Sequence, residues 1–184
     1  MPRRNIGKKT VPKRKSVLFV DDDMLVHSET REVASKIIVK HKHAFSPAQA
    51  ERIIARRMNA ILSLMRRFEL RLSVEKDKTK MRELKRKMGV LKRMQKEPFH
   101  LVVSDVNMPR GKPTGIKFVG KVKEKFPDQK IIMFSDDHES MDHIFEKQGI
   151  LGVTKLSFTR DRDLEEEIRR QLRKGTSKRK NNKA

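Results

Sequence analysis

Short apolar runs alternate along this chain with longer stretches whose apolar residues recur every three or four positions. Ser16–Val20, Phe99–Ser104, Lys130–Phe134 and Leu151–Thr154 are runs of the first kind. Each is bounded by charge or turn residues, the pattern of a strand buried on both faces. A weaker run lies near Lys42–Phe45. Helical spacing joins Met24, Val26, Val33, Ile37 and Ile38, and again Ile116, Phe118, Val119 and Val122 before Phe126-Pro127. Met141, Ile144 and Phe145 mark another helix, stopped at Gly149. Leu164, Ile168 and Leu172 mark the last, with acids early and bases late, as the helix dipole favours. Strands alternating with helices predict an α/β fold: a parallel sheet covered on both faces, with right-handed crossovers.

One segment departs from that alternation. Ser46-Pro47 has the chemistry of a helix start, with serine as N-cap and proline at the first helical position. Apolar residues then recur from Ala50 through Ile53, Ile54, Met58, Ile61, Leu62, Met65, Phe68 and Leu72. None occurs between Glu75 and Lys80; Met81, Leu84, Met88 and Leu91 then resume at coiled-coil-like spacing. One continuous helix of about 50 residues would run roughly 75 Å and strand the next β-segment far from the sheet. A turn near Asp77 returns the chain, so residues 47–97 are expected to form an extended helical hairpin between the second and third strands.

Charge sharpens this division. The chain of 184 residues carries a formal net charge of +22. Residues 1–15 hold seven Lys/Arg and no acid, residues 169–184 hold eight and no acid, and residues 47–96 hold sixteen against five acids. The rest is slightly acidic. The expected organisation is a basic disordered arm (1–15), one domain (16–173) bearing the hairpin, and a basic disordered tail (174–184). Such clusters suit phosphates or acidic surfaces, so nucleic acid, an acidic protein and a homodimer contact through the hairpin are the partners they suggest. No stretch is apolar enough to span a membrane, and no signal-peptide core follows the start, which fits a cytoplasmic setting. There is no cysteine, which removes disulfides and thiolate chemistry.

The candidate chemistry sits where three strands end. Phe-Val runs into Asp21-Asp22-Asp23, Val-Val-Ser into Asp105-Val-Asn107-Met-Pro, and Met-Phe into Ser135-Asp136. Open parallel sheets place their sites at carboxyl ends of strands. Asp21, Asp22 and Asp105 would crowd negative charge there, which a hard cation such as Mg²⁺ relieves. A carboxylate can attack phosphorus and form an aspartyl phosphate, with a metal, a lysine and a hydroxyl steadying the phosphoryl oxygens. Ser135 and Lys155 have the chemistry for those roles.

Phe-Val-Asp21-Asp22, Asp105-Val-Asn-Met-Pro109, Phe-Ser135 and Thr-Lys155 follow one another in the order found in receiver domains of two-component response regulators, which this chain resembles over residues 16–46 and 98–173. The resemblance implies a flavodoxin-like sheet of five strands in the order 2-1-3-4-5. It implies that Asp105 accepts a phosphoryl group from a histidine kinase or histidine phosphotransfer protein. Asp22, Asp105 and the carbonyl of Asn107 would bind Mg²⁺ directly, and Asp21 through water. Ser135 would turn toward the phosphate and Lys155 would pair with it. The protein would then signal by binding, with no separate DNA-binding output domain, and would be no enzyme beyond self-catalysed phosphotransfer and autodephosphorylation.

Several positions depart from that family's pattern. Leu156 stands where proline usually follows the lysine, and the Gly149–Lys155 segment is about one residue short. Gly152 or Val153 falls where a switch aromatic is usual, Gly115 comes two residues late, and Asp136 replaces a small residue. Two other functions fit parts of the sequence. One is a constitutive nucleic-acid-binding protein on a receiver scaffold. The other is a haloacid-dehalogenase-like phosphohydrolase, with Asp21 as nucleophile in Asp21-x-Asp23, which leaves Asp105 without a purpose.

Overall fold

The computed structural model describes residues 15–37, 39–108, 114–135, 150–154 and 162–177. In chain order they form β1 (Ser16–Val20), α1 (Met24–Lys36), β2 (Lys40–Ala44), α2 (Pro47–Val74), α3 (Lys78–Lys96) and β3 (Leu101–Asp105). Then come α4 (Thr114–Lys125), β4 (Ile131–Ser135), β5 (Leu151–Thr154) and α5 (Arg162–Ser177). All strand pairs are parallel, in the order β2-β1-β3-β4-β5. This is the expected α/β flavodoxin-like sheet. The helix around Met141, the residue Lys155, the arm at 1–14 and the tail beyond 177 lie outside the described residues.

Alternation along each strand divides the core in two. Leu18, Val20, Val102, Ile131 and Met133 face one way and pack with Ala50 and Ile54 of α2 and with Phe118, Val119 and Val122 of α4. Val17, Phe19, Leu101, Val103, Ile132 and Phe134 face the other way, onto Val33 and Ala34 of α1 and Leu164, Ile168 and Leu172 of α5. Every residue of β1 and β3 is buried, which is why these strands read as continuous apolar runs. β2 is an edge strand that alternates lysine with histidine, and only Ala44 is fully buried. It begins at Lys40 instead of Lys42, because its outward lysines hide the start of the strand. At the other end of the chain, α5 continues to Ser177, four residues into the segment read as disordered tail.

The hairpin forms as two helices. Ser46 caps α2, its hydroxyl accepting the Gln49 amide at 3.2 Å, and Pro47 opens the helix. Asp77 caps α3, accepting the amides of Thr79 at 2.7 Å and Lys80 at 3.2 Å. The first turns of α2 serve as the crossover helix on the sheet. Arg57 marks where the helix passes the sheet's amino end. Its guanidinium donates to the Ser16 hydroxyl at 2.9 Å and lies 4.5 Å from the Phe99 ring centroid. From Met58 to Val74 the helix projects beyond that edge by roughly 24 Å. Ile61 of α2 and Leu84, Met88 and Leu91 of α3 are buried along the seam of the returning pair. The hairpin therefore stands at the end of the sheet opposite the strand-end acids.

Candidate functional site

Register brings the acids together. β1 pairs with β3 so that Val20 lies beside Ser104. The next residue of each strand, Asp21 and Asp105, then ends at the same level on neighbouring strands. Asp22 follows in the turn to α1. One carboxylate oxygen from each of Asp21, Asp22 and Asp105 lies within 4.8 Å of the others, the only such acidic or histidine cluster among the described residues. Asp21 is 1% exposed and Asp105 2%, with Asp22 half-buried at the mouth. Three carboxylates held this close, two of them out of water, repel one another strongly. An all-oxygen donor set fits a hard divalent ion such as Mg²⁺.

Backbone contacts hold the acidic turn. The Asp21 amide donates to the Ala44 carbonyl at 3.0 Å, and Asp21 Oδ1 accepts the Asp23 amide at 2.7 Å. Asp23 itself is the α1 N-cap, accepting the Leu25 amide at 2.8 Å. The third acid of the Asp-Asp-Asp run thus builds the helix, while the first two join Asp105. Behind Asp105, the Val106 amide donates to the Phe134 carbonyl at 3.1 Å and the Gly115 amide to the Val106 carbonyl at 3.0 Å. Asn107 lies in the bend that follows, between buried Val106 and Met108.

β4 carries Ser135 to the same end of the sheet, since Asp105 pairs with Phe134 and Ser135 is next. The Ser135 side chain lies outside the described residues. So does Lys155, although its predecessor Thr154 pairs with Ser135 at the end of β5. Gly152 pairs with Met133 and Val153 with Phe134 inside β5; these are the two positions at which a switch aromatic is expected.

Two contributions to this site were not evident from the sequence. His27, 3% exposed on α1, contacts the Asp21 carbonyl oxygen through Nε2 at 2.7 Å. A carbonyl only accepts, so Nε2 carries the proton. His27 Nδ1 lies 2.7 Å from Nδ1 of His43 on β2; with His27 neutral, His43 donates there. Burial lowers the pKa of both rings, and His43 falls to about 4, with His27, His41 and Arg31 adding to the effect. The sixteen-residue gap between the two histidines lacked any recognisable spacing. The other contribution is Gly115, which seats the start of α4 against the Asp105 carbonyl.

Comparison with known proteins agrees with this geometry. The sequence profile of the response regulator receiver domain matches residues 63–154, half of the chain, running from within α2 to the end of β5. The match includes Asp105 and Ser135 but stops short of Asp21 and Asp22. No curated protein matched the sequence. The signal receiver domain of an HD domain-containing protein from Pseudomonas fluorescens Pf-5 superposes with a TM-score of 0.56 at 16% identity, covering 96% of this chain and 99% of that one. A CheY-like receiver domain protein from Methanospirillum hungatei JF-1 gives 0.55 at 17%, covering 88% and 96%. The Thermotoga maritima response regulator TrrA, in complex with Mg²⁺-BeF, gives 0.52 at 17%, covering 85% and 98%. These likenesses are of fold. With the matching profile, they place the chain in the response regulator receiver domain family of two-component signalling.

Proposed function

We propose that this protein is a phosphorylation-controlled receiver in which Asp105 accepts a phosphoryl group from a histidine kinase or histidine phosphotransfer protein. The observation that carries this reading is the cluster of Asp21, Asp22 and Asp105 at the carboxyl end of a receiver sheet. An Asp105 carboxylate oxygen attacks phosphorus, and the bond from phosphorus to the donor's leaving atom breaks as the acyl phosphate forms. Asp22, Asp105 and the Asn107 carbonyl would hold Mg²⁺, with Asp21 reaching it through water. The ion would supply positive charge to the phosphoryl oxygens. Asp23 and His27 keep Asp21 in place by fixing its carboxylate and its carbonyl. Ser135 would donate to a phosphoryl oxygen and Lys155 would pair with another.

The output is binding, and the chemistry goes no further than self-catalysed transfer and loss of the phosphoryl group. With Gly152 or Val153 at the switch-aromatic position, Ser135 must couple to another element. The phosphohydrolase alternative makes Asp21 the nucleophile and leaves Asp105, in the same cluster, without a purpose. Incubation with acetyl phosphate and Mg²⁺ tests the reading. One base-labile phosphoryl group, mapped to the Asp105 peptide and missing from Asp105→Ala, is the expected result. No adduct on wild type, or an undiminished one on Asp105→Ala, would overturn it.

A further inference from the structure

The hairpin presents an arginine face that the phosphoryl site does not use. α2 contains six arginines and no lysine. Arg57 turns inward to Ser16 and Phe99. The other five, Arg52, Arg56, Arg66, Arg67 and Arg71, are exposed. At 100° per residue they fall on the side opposite Ile54, Ile61 and Leu72, with Asn59 and Ser63 among them and no acid. The two glutamates of α2, Glu51 and Glu69, lie nearer the inner face, and Glu51 is taken by Lys121 of α4 at 3.3 Å. Among the described residues none of the five is in an ion pair. The outward side of α3 repeats the pattern, with Lys85, Arg86, Lys92 and Arg93 exposed.

We propose that this outer face of α2 binds duplex DNA through its backbone phosphates. Arg52 to Arg71 span roughly 28 Å of helix. Over that length a duplex carries about sixteen phosphates. Guanidinium forks grip phosphate oxygens two at a time, and Asn and Ser add donors between them. An α-helix fits the major groove of B-form DNA, whereas the deep, narrow major groove of A-form RNA excludes it. Single strands need stacking platforms; the chain has no Trp or Tyr, and Phe68 lies on the inner side of α2. An acidic protein would require a continuous apolar anchor. Exposed Leu70 and Val74 lie one turn apart on the arginine side at the helix's outer end, while exposed Leu62 and Leu64 lie on two other sides, so the apolar residues form a single pair and no continuous stripe. A second copy of the hairpin would bring like charges together.

Fluorescence anisotropy with the full chain and a labelled duplex of roughly 20 base pairs, over a salt series, tests this. The comparison is wild type against the combined substitutions R52Q, R56Q, R66Q and R67Q. Removing four phosphate contacts should flatten the log–log salt slope by about 3 to 4 and weaken binding at least tenfold. The matching lysine variant should keep most of the slope, which separates charge loss from misfolding. Duplex RNA and single-stranded DNA should bind more weakly. Unchanged affinity in the glutamine variant, with binding left to the terminal segments, would overturn the proposal. So would wild type that ignores DNA at low salt, or polyglutamate competing as well as the duplex, which would point to an acidic protein.

Discussion

A Cβ built on Gly115 would lie 1.9 Å from the Asp105 carbonyl oxygen and 2.8 Å from that of Val106. Both neighbours are backbone and cannot swing aside as a side chain would. Gly115→Ala should therefore push α4 off the end of β3, costing about 2–3 kcal/mol in denaturant unfolding and slowing phosphorylation of Asp105 from acetyl phosphate. A normal rate with wild-type stability would refute that account. His43 makes a second prediction at this scale. It stacks on Phe19 and faces His27 and Arg31 of α1 and His41 of its own strand. Its pKa in the fold is about 4 against an ordinary 6.5, so the unfolded chain takes up the proton first as pH falls. Its contribution to stability is complete above pH 6.5 and is lost as pH drops from there to about 4. After allowance for its exposed part, the loss is about 1–2 kcal/mol. Unfolding at pH 7 and pH 4.5 measures it, and His43→Gln should show a smaller drop between the two.

Among the elements, the hairpin seam and the sheet should separate experimentally. Ile61 is 3% exposed, and Leu84, Met88 and Leu91 are 7 to 8% exposed against it, beyond the sheet's edge. Ile61→Ala should destabilise by about 2–4 kcal/mol, and hydrogen exchange should rise in α2 after Met58 and in α3 while β1 and β3 stay protected. Equal loss of protection in the strands would mean that hairpin and sheet unfold as one unit. The hairpin was legible because its signals are local: Ser46-Pro47, the apolar gap from Glu75 to Lys80, and the Asp77 cap. β1 was legible to the residue for the opposite reason, since burial on both faces leaves an uninterrupted apolar run. β2 was shifted because an edge strand of lysine and histidine carries little apolar signal. Asp21, Asp22 and Asp105 could be grouped from sequence because parallel strands share one carboxyl end. The pairing of His27 with His43, and the fit of Gly115 against Asp105, depend on helix–strand distances that no local pattern encodes.

At the scale of the whole sheet, and among the described residues, the acid cluster and the basic hairpin lie at opposite ends. The buried acids crowd the carboxyl end, while Arg57 marks the amino end from which the basic hairpin projects. Salt acts on both ends, since screening relieves self-repulsion in a chain of net charge +22. A bound divalent ion acts only on the acids. Sodium chloride should raise the melting temperature of wild type and Asp22→Asn alike. Mg²⁺ at matched ionic strength should add a further increment in wild type, about 1.4 kcal/mol when present at roughly ten times its dissociation constant. Asp22→Asn removes one of the three carboxylates without touching the Asp23 cap or the Asp21 carbonyl, so it should lose that increment and keep the sodium response. A magnesium increment of full size in Asp22→Asn would move the ion away from this cluster.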